Sequence, residues 1–128
     1  MIKGRFKGFL PAILWSIVII VLSTLPGKTM NSFSFSDLWN VDKLGHLVVY
    51  AIHCFLLLRG YRHLTKEILN RQVISALLWS VFLGFSLEII QYSFFPDRHF
   101  DILDLIANII GSIVGLIIFK LLKTMRYD

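Results

Sequence analysis

Four stretches of this chain are too long and too apolar to be left in water. FLPAILWSIVIIVLSTL covers residues 9–25 and VDKLGHLVVYAIHCFLLL covers 41–58. VISALLWSVFLGFSLEIIQYSFF covers 73–95 and ILDLIANIIGSIVGLIIFKLL covers 102–122. A helix needs about 20 mostly apolar residues to cross a bilayer. In lipid every backbone polar group must be paired internally, so only helices and closed barrels can span. A barrel would show alternating segments of about ten residues, and these stretches do not alternate. The expectation is an all-α, polytopic membrane protein: a compact bundle of four transmembrane helices.

Composition narrows the function classes. Hydrophobic residues make up 56% of the 128 and charged residues 16%, against roughly 45–50% and about 25% in soluble chains. Cys54 is the single cysteine. An internal disulfide framework and a Cys/His zinc finger are therefore excluded, and Cys54 reads as a small apolar residue within a helix. The formal net charge is +5. In so apolar a chain, basic residues mark the ends of spans rather than a nucleic-acid surface.

Ten of the 13 basic residues fall in three places. Lys3, Arg5 and Lys7 precede the first span, and Arg59, Arg62, Lys66 and Arg71 follow the second. Lys120, Lys123 and Arg126 end the fourth. The positive-inside rule then places both termini and a 59–72 connection in the cytoplasm. The first span could pass for a signal peptide, but no A-x-A-like site follows it and it reads as retained. Residues 26–40, with Phe33, Phe35 and Trp39 among serines, read as an outer loop lying at the headgroup level.

The polar residues of the spans share one depth. Glu88 lies seven residues before Phe95 and Asn108 seven after Asp101, each roughly 10 Å from the outer end of its span. His46 lies four residues after Asp42, at roughly 6 Å. Faces agree with depth. His46, Tyr50 and His53 stand at i, i+4, i+7, as do Gly84, Glu88 and Gln91. Asp101, Asp104, Asn108, Gly111 and Gly115 form one stripe of the fourth span. Unpaired polar groups are costly in hydrocarbon, so these faces should turn toward one another. His53, deeper than His46, reads as a satisfied core histidine, and Gly111-x-x-x-Gly115 as a close helix contact.

These residues form an ordered pattern. Asp42-Lys43-x-x-His46-x-x-x-Tyr50 opens the second span and Glu88-x-x-Gln91 ends the third. Pro96-x-Arg98 makes the turn, and Asp101-x-x-Asp104-x-x-x-Asn108-x-x-Gly111-x-x-x-Gly115 runs down the fourth. In order and spacing they resemble the VanZ-like family of small bacterial membrane proteins, over nearly the whole chain. Two positions depart from the family's frequent pattern: Ile90 stands where a His often precedes the Gln, and Asp97 where a Gly often lies in Pro-Gly-Arg. The resemblance implies a single VanZ-like domain over residues 1–128, multi-pass in the inner membrane of a bacterium. The family's namesake is associated with resistance to the glycopeptide teicoplanin.

Three functions compete. The first is a non-catalytic site near the outer face for an amphiphile: a lipid headgroup, a lipid-linked cell-wall precursor or a lipoglycopeptide. Its residues are Asp42, Lys43, His46, Tyr50, Glu88, Gln91, Arg98, Asp101, Asp104 and Asn108, with Lys43 and Arg98 meeting phosphate or carboxylate. The second is a membrane-embedded enzyme on a lipid or lipid-linked substrate, with Glu88, Asp104 and His46 as acid–base candidates. No nucleophile motif such as G-x-S-x-G supports it. The third is a structural or assembly role, alone or in an oligomer. No cofactor is expected; the cation set on offer is the oxygen-rich trio Asp42, Glu88 and Asp104.

Overall fold

The computed structural model describes residues 4, 6–24, 35–94 and 102–127, and the side chains of the last two segments only over 43–94 and 102–123. A 3₁₀ turn, Phe6–Phe9, leads into α1, Leu10–Ser23. Three longer helices follow: α2, Phe35–Thr65; α3, Asn70–Phe94; and α4, Ile102–Tyr127. Among the described residues, four helical stretches are long and apolar enough to span: Phe6–Ser23, Lys43–Thr65, Asn70–Phe94 and Ile102–Lys123. The described residues contain no strand. The chain is an all-helical, multi-pass membrane protein.

The largest differences from the sequence expectation lie at the two ends of the second helix. The second helix begins at Phe35 rather than near residue 41, so residues 35–40 of the expected outer loop are helical. Nothing in 35–44 breaks a helix: neither Gly nor Pro occurs there. The same helix passes Leu58 and ends at Thr65, so Arg59 and Arg62 sit on helix rather than in a connection. Long basic side chains can reach past an apolar segment without ending it. The turn is confined to residues 66–69. Lys66 takes φ 66°, a left-handed cap, and its N–H donates to the Arg62 carbonyl at 2.8 Å. The Gln72 side chain then accepts the Leu69 N–H at 2.9 Å, securing the first turn of α3.

Packing is closest between α2 and α4. A Cβ built on Gly111 would strike the Leu47 carbonyl oxygen, and one on Gly115 that of Ala51. The two glycines thus let the backbones touch, as small-xxx-small pairs do in lipid. Below this contact Cys54, Leu58, Ala76 and Phe119 make a buried apolar cluster. α1 lies against α2 and α3. Trp15 Nε1 donates to the Val49 carbonyl at 2.9 Å, and Ile19 packs with Tyr50 and Leu87. Leu14, Ile74, Phe82 and Leu121 are each more than half exposed, on the outward faces where a lipid-facing surface belongs.

The helices alternate in direction, so the bundle has two unlike ends. The end of α1, the 43–50 segment of α2, the end of α3 and the start of α4 share one. The other carries the 3₁₀ turn, whose Phe9 ring meets Tyr61 edge-on at 5.1 Å, and the basic residues Arg59, Arg62 and Lys123.

Candidate functional site

Three helices contribute to a charged cluster at the first end. Lys43, on α2, forms an ion pair with Asp104 in the first turn of α4. One helical turn further, His46 places Nε2 3.7 Å from Asp104 Oδ2. Its other nitrogen, Nδ1, lies 2.9 Å from Asn108 Oδ1. A carboxamide oxygen can only accept, so Nδ1 carries the hydrogen and Nε2 faces the carboxylate. Glu88 enters from α3. One ligand atom from each of His46, Glu88 and Asp104 lies within 4.8 Å of the other two.

The cluster is graded in access. Glu88 is 2% exposed and Asn108 fully buried. The side chains of Lys43, His46 and Asp104 keep 15%, 20% and 12% of their surface open. One side of the cluster can therefore be approached while the other is sealed. Gly84 helps seal it: a Cβ there would meet Asn108 Nδ2 at 2.6 Å and the Tyr50 ring at 3.2 Å. Tyr50 is buried, its ring parallel to His46 at 6.4 Å.

The expected residues thus divide. Lys43, His46, Glu88, Asp104 and Asn108 come together, with Tyr50 packed behind them. Gln91 shares their face of α3 but turns to α1, where Nε2 donates to the Ser23 carbonyl at 2.8 Å and closes that helix's last turn. Arg98 and Asp101, and the side chain of Asp42, lie outside the described residues. Among the described residues, the set able to ligate a cation is His46, Glu88 and Asp104, with His46 in the place the sequence reading gave Asp42.

A second polar layer lies two turns deeper and escaped the sequence reading except for its histidine. Ser112 Oγ donates to Ser80 Oγ at 2.8 Å. His53 lies 3.2 Å from Ser80 Oγ through Nδ1 and 2.9 Å from Ser16 Oγ through Nε2. Ser16 Oγ donates onward to the Ala12 carbonyl at 2.8 Å. One directional chain satisfies every group with a neutral imidazole: Ser112 to Ser80 to His53 to Ser16 to backbone. It ties all four helices. The signal was present, since Ser80 precedes Gly84 and Ser112 follows Asn108 by four residues on the same faces.

A sequence model of the family described as VanZ/LLP1 matches residues 7–123. No curated protein matches the chain. No solved structure matches it either.

Proposed function

The chain belongs to the VanZ/LLP1 family, and from that premise we propose that it binds the polar headgroup of an anionic amphiphile in the Lys43–His46–Glu88–Asp104 layer. The supporting observation is the Lys43–Asp104 pair, half-sheltered at one end of an otherwise apolar bundle beside the buried Glu88. Ionisable groups within spans are costly, and they characteristically face a cavity or a bound polar group. A lysine paired with a partly open carboxylate can exchange that partner for a phosphate. The acyl chains of such a ligand need no pocket, since the apolar helix faces already meet lipid.

On the positive-inside rule we read this end as the outward one, away from Arg59, Arg62 and Lys123, and from the family we take the membrane to be a bacterial inner membrane. The ligand class is then a phospholipid or a lipid-linked cell-wall precursor of the outer leaflet, and Arg98, Asp42 and Asp101 are the further residues the sequence offers for it. A lipoglycopeptide combines the same acyl and polar parts. The resistance associated with the family's namesake and a role in envelope upkeep both fall under this reading.

Native mass spectrometry of the full chain in mild detergent tests it. The parent should retain a phospholipid or precursor lipid. Lys43→Gln and Arg98→Ala should lose most of it, and Glu88→Gln should lose it by degrees. Equal retention by all four proteins would contradict the proposal.

The approach of His46, Glu88 and Asp104 favours one second reading, a membrane-embedded enzyme in which this trio moves protons on a lipid substrate. Turnover of a labelled envelope lipid, abolished by Glu88→Gln in a folded protein, would establish it. Absence of turnover across a broad lipid panel would remove it.

A further inference from the structure

We propose that His46, Glu88 and Asp104 hold a divalent metal ion. The donor set is one imidazole nitrogen and two carboxylate oxygens from three helices, with ligand atoms mutually within 4.8 Å. An ion that binds each ligand at about 2.0–2.2 Å sets neighbouring ligand atoms roughly 3–3.5 Å apart. Asp104 Oδ2 and His46 Nε2 stand at 3.7 Å, already near that spacing. One Glu88 carboxylate oxygen lies within 4.8 Å of a ligand atom of each.

One further observation points the same way. His46 gives its Nδ1 hydrogen to Asn108 Oδ1 at 2.9 Å. That turns Nε2, the nitrogen an ion would take, toward the carboxylate, and an outer-shell bond of this kind orients a ligating histidine. Asn108 is also fully buried, and its Nδ2 has no acceptor among the described residues. Its amide group ends at the His46 ring. The Asn108 side chain is thus held through its oxygen, as the partner that orients His46, while Nδ2 lies against Gly84.

Lys43 does not close the site. It pairs with Asp104 Oδ1, while Oδ2 faces His46. An ammonium and an ion can therefore share the carboxylate, one oxygen each. The imidazole favours Zn²⁺ and the two carboxylates admit Mn²⁺, whereas Mg²⁺ and Ca²⁺ prefer all-oxygen sets. The ion site stands on its own geometry; its use in meeting a phosphate rests on the headgroup reading above.

The test uses the untagged full chain in detergent, stripped with EDTA and dialysed separately against Zn²⁺, Mn²⁺, Mg²⁺ and Ca²⁺. Bound metal is measured by mass spectrometry, with a thermal midpoint in each buffer. The parent should take up about one Zn²⁺ or Mn²⁺ per chain and melt at a higher temperature with the ion than without it. Glu88→Gln and His46→Ala should bind more than roughly tenfold more weakly, and Asn108→Ala about tenfold more weakly. Their midpoints should rise less with the ion than the parent's. Lys43→Met, which leaves the three ligands in place, should bind at least as tightly as the parent. If Glu88→Gln does not fold, His46→Ala, on the open side of the cluster, carries the same comparison.

A parent that binds none of the four ions, or ligand variants that bind them as the parent does, would overturn the site. Ion binding by a protein that retains no phospholipid would support the site and overturn the headgroup reading. Phospholipid retained by a protein that binds no ion would do the reverse.

Discussion

His46 and His53 stand seven residues apart on one face of α2, yet their surroundings are opposite. His53 is 3% exposed and spends both ring nitrogens on serine hydroxyls from α1 and α3. His46 is partly open. It spends one nitrogen on a buried amide and turns the other toward a carboxylate that also holds Lys43. Neutral partners that satisfy every donor make a tie between helices. Charged partners with an open side make a place where something else can bind. Residue type and helical position alone do not separate the two; the company each ring keeps does.

The largest effect should come from a change that breaks both layers at once. Gly111→Val drives a side chain into the Leu47 carbonyl, and α2 and α4 must separate. A loss of about 3 kcal/mol or more is expected in a detergent unfolding titration, together with loss of ligand. A near-parental midpoint would show that the two backbones are not in contact. Next comes His53→Ala, which cuts the only described side-chain chain joining all four helices. It should lower stability by about 1–2 kcal/mol while the protein still retains its lipid. Gln91→Ala should do least. Removing one hydrogen bond to the end of α1 is worth about 0.6 kcal/mol and should leave lipid retention unchanged. A large loss of retention there would move Gln91 from scaffold into the site.

The sequence carried the spans and the charged layer because both follow from cost. An apolar run of about 20 residues has few other fates, and Glu88, Asp104, His46 and Asn108 could be tolerated in lipid only by meeting one another. The Gly111–Gly115 contact was legible for the same reason: a small-xxx-small pair in a span has one common use. Helix ends were less legible. Arg59 and Arg62 looked like connection residues because they are charged, whereas the helix ends only where Lys66 turns left-handed. The serine layer was hidden because a serine within a span can bond its own preceding turn as readily as a neighbouring helix. Ser16 does both, and Ser112 has the Asn108 carbonyl and Ser80 Oγ both within reach of its one hydrogen. Gln91 could not be told from Glu88 by spacing, since the start of α4 meets one and the end of α1 the other.

The most direct test measures two properties on two variants. His46→Ala and His53→Ala are compared with the parent for lipid retained in native mass spectrometry and for thermal midpoint in the same detergent. The account predicts a crossed result: His46→Ala loses most of its lipid and keeps its midpoint near the parent's, while His53→Ala keeps its lipid and melts earlier. If both variants lose lipid and stability in the same proportion, the two layers are one scaffold, and the charged end of the bundle is not a binding site.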